Sequence, residues 1–159
     1  MTSDVAWPAL SEEGKAAFAA LPALAQERVA ASQVPVLLPP DKEWLATAGV
    51  ATKPTWTTAS MHADGLTVVV TASRAARVVP GVKPHEGNVK VRGDNLGFVT
   101  QNEGIRAASW HEGNVAYSVE VECAQAGDAR CANGDFVLGV AQGLVFVGGG
   151  ESAGKEGAR

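Results

Sequence analysis

The chain has 159 residues, 46% of them apolar and 19% charged, enough to bury a substantial core within one domain. Its net charge of −4 argues against a general nucleic-acid binder, because phosphate binding needs a positive footprint. The most apolar window, Phe136 to Val147, holds about twelve residues and includes Gln142, well short of the ~20 that span a bilayer, so no transmembrane segment is expected.

Residues 1–10 carry no strong pattern and are expected to be a flexible N-terminus. No basic region followed by a long apolar run opens the chain, so a signal peptide is expected to be absent from this stretch, removed during export. Ser11, followed by Glu12 and Glu13, predicts a helix start, its hydroxyl capping free amides and the acids facing the positive end of the helix dipole. Pro22 cannot sit inside a helix, so a second segment restarts there and reaches about Ser32, with Leu21, Leu24, Ala25 and Val29 on its apolar side. Val34 to Leu38 is a short extended stretch stopped by Pro39 and Pro40. Residues 41–53 read as a loop with one helical turn near Trp44.

From Pro54 onward, alternation and regularly spaced turns predict an antiparallel meander, with strands near 55–61, 66–72, 77–82, 88–92, 96–101, 105–110 and 115–123. The last is the clearest: Val115, Tyr117, Val119, Val121 and Cys123 share one face, and Ala116, Ser118, Glu120 and Glu122 the other. Asn133 or Asp135 can cap a closing helix in which Phe136, Val140 and Leu144 stack at i, i+4 and i+8, with a strand at 144–147 as the rival assignment. Gly139 and Gly143 leave a flat stripe expected to let that helix pack closely on the sheet. Residues 148–159 are small, polar and glycine-rich, the composition of a disordered tail. The expected architecture is a single α+β domain over 11–147, in which an N-terminal helix and a C-terminal helix accompany a sheet of six or seven strands.

Cys123 and Cys131 are the only cysteines, and their spacing places one at a strand end and the other before the closing helix. A structural disulfide follows, together with a periplasmic or extracellular address. Seven residues between the cysteines match neither a C-x-x-C redox site nor a zinc knuckle.

Charge is uneven along the chain. Arg74, Arg77, Lys83, Lys90 and Arg92 face Glu86 alone between residues 74 and 92, a basic stretch suited to a protein partner with an acidic surface. Against this stands the bland reading, solvated turns and a charged edge strand that resists aggregation. Trp44, in an irregular segment, is a candidate for a ligand groove or partner contact, as is Trp7, while Trp56 and Trp110 read as packing residues. If Ile105, Ala107 and Ser109 face inward, Trp110 lies on the outer surface or beneath a helix.

All three histidines stand beside acids in expected turns, and His62, Asp64, His85 and Glu86 form a candidate metal or acid/base set. In a strict meander the turns at 62 and 85 share one end of the sheet and the turn at 111 lies at the other. Glycine and asparagine recur in these turns because hairpins need positive φ, which accounts for the repeated His-Glu-Gly-Asn without a site. No nucleophile elbow, H-E-x-x-H or phosphate-binding glycine loop is present, and no cofactor is expected. The expected function is a noncatalytic binding or interaction module of the cell envelope or secreted space, including inhibitor-like roles. Its rivals are a small hydrolase or metal enzyme at the histidine set, and a carrier of a small apolar ligand.

Overall fold

Two helices open the chain, each where the sequence places a stop or start signal. The structure is a computed structural model that describes residues 5–74 and 87–150. Ser11 accepts a hydrogen bond from the Gly14 amide at 3.0 Å and starts α1 (Glu12–Ala19), and Pro22 precedes α2 (Ala23–Ala31). The short strand β1 (Val36–Leu38) is wholly buried and pairs with the C-terminal strand β9 (Val145–Gly148). Asp41 then accepts from the amides of Glu43 and Trp44 and caps the single turn α3 (Lys42–Leu45).

Gly49–Lys53, expected as loop, is instead strand β2, paired along its length with β3 (Trp56–Ala63). Only Val50 of β2 is buried, so this edge strand had a single apolar residue with which to show alternation. The strands β4 (Leu66–Ser73), β5 (Val89–Arg92), β6 (Asn95–Asn102), β7 (Ile105–Glu112) and β8 (Val115–Cys123) complete the main sheet. Asp64 with Gly65, Glu103 with Gly104 and Gly113 with Asn114 all have positive φ, the backbone that tight two-residue hairpins require. The expected strand at 77–82 lies outside the described residues.

The sheet order is β2-β3-β4-β8-β7-β6-β5, antiparallel throughout, and the fold is α+β as expected. The strict meander is corrected. Two hairpin runs are joined at the centre, where β4 pairs with β8 from Leu66↔Cys123 to Ser73↔Ala116. These two strands bring the most regular apolar alternation, Leu66, Val68, Val70 and Ala72 beside Tyr117, Val119 and Val121, and a central position buries both.

One cross-strand row, Val50, Ala59, Val70, Val119 and Ala108, runs across the buried face with none of its members more than 4% exposed. Helices α2 and α3, the ribbon strand β1 and the C-terminal helix α4 (Asp135–Gly143) lie against that sheet, and α1 packs on β9. Both rival assignments for the chain end are realised in succession, since α4 stops at Gly143 and β9 follows. The buried side of α4 is Val137, Val140 and Ala141 rather than Phe136, which is half-buried. Segments expected to be loose are partly tied: the Ala6 amide donates to Gly113 O, Trp7 packs edge-on against Phe146, and the Gly150 amide donates to Ser32 O.

Trp110 belongs to the buried face at 3% exposure, and it is Ile105, Ala107 and Ser109 that look outward. Its ring stacks on Tyr117 with centroids 5.5 Å apart, and the Tyr117 hydroxyl donates to Pro35 O at 2.9 Å. Burial, reinforced by the Glu112 charge and opposed by Arg92, pushes the Tyr117 hydroxyl well above its ordinary pKa. Above about pH 10 the unfolded tyrosine ionises while the native one keeps its proton, so the unfolded chain binds fewer protons and stability falls with rising pH. Urea unfolding between about pH 9 and 11 is expected to show this decline, and Tyr117→Phe should flatten it; an equal slope in both proteins excludes Tyr117 as the source.

Two ties place α4. At its approach, Cys123 at the end of β8 is bonded to Cys131 in a 3-10 turn at Ala129–Cys131, with Cα atoms 6.2 Å apart. Arg106 donates to the carbonyls of Cys131 and Ala132, and Arg130 reaches Asp128 and Asp64 O. The Arg130 hydrogen bonds hold the Asp128 carboxyl down at about 2. At the far end, Arg92 donates to Leu144 O at 2.7 Å and Ala141 O at 3.2 Å while its Nε donates to Glu112 at 2.9 Å. The β5 register shifts between Lys90 and Arg92, and this irregularity accompanies the turn of the guanidinium toward the helix.

Candidate functional site

An apolar groove opens between α3 and α4. Pro39 and Pro40, rigid and extended after β1, form one margin and lead into Asp41. Trp44, half-buried on α3, meets Phe136 of α4 edge to face, with centroids 6.2 Å apart and planes at 69°. Gly139, Val140 and Gly143 line the rest of a cavity of about 550 Å³, and Asp41 and Asp135 complete its lining.

Gly139 and Gly143 correct an expectation. Both are exposed, and a Cβ built on either would meet nothing within 4 Å, so they do not mediate close packing on the sheet. Neither has positive φ. Glycine inside a helix costs roughly 1 kcal/mol relative to alanine, and at Gly139 no close contact among the described residues offsets that cost. Its effect is to leave the groove floor bare.

Of the described residues named from sequence as binding or metal candidates, Trp44 is the one that stands in this groove. Arg74 donates to Gln33 O at 3.2 Å, and Arg92 is committed to Glu112 and the end of α4. Lys90 is exposed and lies 3.7 Å from Asp94, a surface pair of small energetic weight. Arg77 and Lys83 lie outside the described residues. The three described cations therefore do not form a common free surface.

Only His62 and Asp64 of the histidine set are among the described residues. His62 is exposed, with its Nδ1 3.2 Å from Thr67 Oγ1, and Asp64 occupies the adjacent turn. His111 sits at the opposite end of the sheet, where β7 turns into β8. His85 and Glu86 lie outside the described residues. Among the described residues no group of three or more histidine, cysteine or acidic side chains is placed to hold a metal ion.

Across the sheet, the face away from the helices bears small and hydroxylated side chains: Thr58, Thr71, Ser118 and Ser109 lie in one cross-strand row ending at Phe98. Phe98 and Leu96 are the large exposed apolar residues there, at 37% and 46%, beside a cleft of about 430 Å³ that also touches Ser109, His111 and Ala116. A third, more polar cleft follows the β3–β4 turn past His62, Thr67 and Glu122.

Sequence reasoning had no means of placing Phe136, Pro39 and Pro40 beside Trp44. The prolines read as a strand stop and Phe136 as core, although the glycine stripe was already visible as a flat surface. Comparison of the chain with family models, curated proteins and solved structures finds no match in any of the three.

Proposed function

We propose that this protein is a noncatalytic binding module of the periplasm or secreted space that docks a partner protein in the α3–α4 groove. The observation that carries the reading is Trp44, half-buried in an apolar groove whose lining includes Phe136 and two glycines, Gly139 and Gly143, that present no side chain. Tryptophans in pockets of this kind dominate interface energies, because one large rigid ring buries much area at little entropic cost. The disulfide is compatible with an oxidising compartment and supports the envelope or secreted address.

Affinity capture from envelope and secreted fractions tests it. One polypeptide should be retained equally by the wild type and by Leu96→Ser on the opposite face, and roughly tenfold less by Trp44→Ala. Far-UV circular dichroism verifies that each variant is folded. Equal capture by Trp44→Ala overturns the assignment of the groove.

A further inference from the structure

We infer that the α3–α4 groove reads a basic side chain of its partner, an arginine carried in an apolar segment, with its aliphatic stem on the glycine floor and its guanidinium between Trp44 and the rim carboxylates. This inference rests on the groove being the docking site.

The lining is one-sided in charge. Asp41 and Asp135 border the cavity, and among the described residues no lysine, arginine or histidine does. Glu43 and Lys42 on the neighbouring turn cancel, so the acidic rim is not locally neutralised. Neither carboxylate is wholly engaged within the fold. Asp41 uses Oδ1 on the α3 amides, and Asn133 Oδ1, not Asp135, accepts from the first amide of α4 at 2.9 Å. Asp135 makes no ion pair or side-chain hydrogen bond among the described residues.

An aromatic wall beside carboxylates suits a cation with an apolar body. A ring face attracts the charge through its quadrupole, the carboxylates pair with it, and the stem covers apolar surface. Arginine fits best because its planar guanidinium both stacks on an indole and meets a carboxylate with two parallel hydrogen bonds. The missing side chains at positions 139 and 143 leave room for the stem. A second copy of this chain is a poor occupant: it would bring two concave, acidic grooves together, with like charges opposed and a void between them.

The test uses the full chain and a capped heptapeptide, Ala-Pro-Ala-Xaa-Ala-Pro-Ala, with arginine, lysine or norleucine at the central position, followed by NMR through the Trp44 indole N–H. The arginine peptide is expected to bind with Kd of about 0.1–1 mM, lysine more weakly, and norleucine at least about fivefold more weakly than arginine. Raising salt from about 50 to 500 mM should weaken the arginine peptide severalfold and leave norleucine unchanged. Asp135→Asn and Asp41→Asn should each reduce arginine binding about threefold or more, the latter keeping the α3 cap because asparagine also caps. Gly139→Leu should abolish binding while retaining or raising the melting temperature, since it fills the floor and improves helix propensity. Norleucine binding as tightly as arginine overturns the inference while leaving an apolar docking groove intact. So does failure of every peptide when Trp44→Ala still releases the captured partner. If Trp44→Ala leaves capture unchanged, the docking site itself has failed.

Discussion

Replacing Arg92 with methionine is expected to lower stability by roughly 2–3 kcal/mol, about 5–10 °C in melting temperature for a chain of this size. Helix α4 has no basic residue in its last turn, so the carbonyls at its negative end take their cation from β5. Methionine keeps most of the apolar stem and removes the donors. It leaves the carbonyls of Ala141 and Leu144 without the guanidinium, and strips Glu112 of its counter-charge. Glu112 Oε1 also accepts from Trp110 Nε1 at 3.0 Å, so the loss reaches the stacked Trp110–Tyr117 pair. The pair is mostly buried but not dry, with side chains 20% and 29% exposed, which holds the effect below that of a fully buried ion pair. Glu112→Gln should cost less, because an amide oxygen still accepts from the indole. A double-mutant cycle should return a coupling of about 1 kcal/mol. Urea denaturation measures all three variants, and a change under about 0.5 kcal/mol for Arg92→Met would show that the clamp contributes little.

Cys123→Ala with Cys131→Ala is expected to cost a similar amount, about 2.5 kcal/mol, through the freedom that opening so short a loop restores to the unfolded chain. The native turn should survive in outline, because Arg106 and Arg130 still hold its backbone. Its hydrogen-exchange protection over residues 124–135 should fall more than that of β4 and β8. The wild type in reductant should unfold at the same denaturant concentration as the double variant. Unchanged stability on reduction would mean that the bridge constrains nothing the arginines do not already hold. Because half of the groove lies on α4, both perturbations are also expected to weaken partner binding, Arg92→Met without touching a groove residue.

Much of the local structure was legible. Ser11 starts a helix, Pro22 restarts one, and Asp64-Gly65 reverses the chain because each residue's own chemistry favours that backbone. Alternation located β8 to the residue, since a half-buried strand must separate apolar from polar side chains at every step. Where that contrast was weak, as in β2 with Val50 alone, the strand was missed. Sequence also reports charge but not where a side chain points: Arg74 and Arg92, two members of the basic stretch, turn to backbone carbonyls within the fold.

By itself, then, the sequence determined the α+β class, the hairpin turns between β3 and β4, β6 and β7, and β7 and β8, the starts of α1 and α2, and the pairing of its only two cysteines, all set by neighbours along the chain or by the lack of alternatives. Only the tertiary structure decided that β4 lies beside β8, that Arg92 caps α4, and that Trp44 meets Phe136 over bare glycines. Trp44 and Phe136 are far apart in sequence, and their meeting depends on how the covering helices settle on one face of the sheet. Burial, rather than local preference, makes that choice, because it is shared among many side chains and belongs to no short stretch of them.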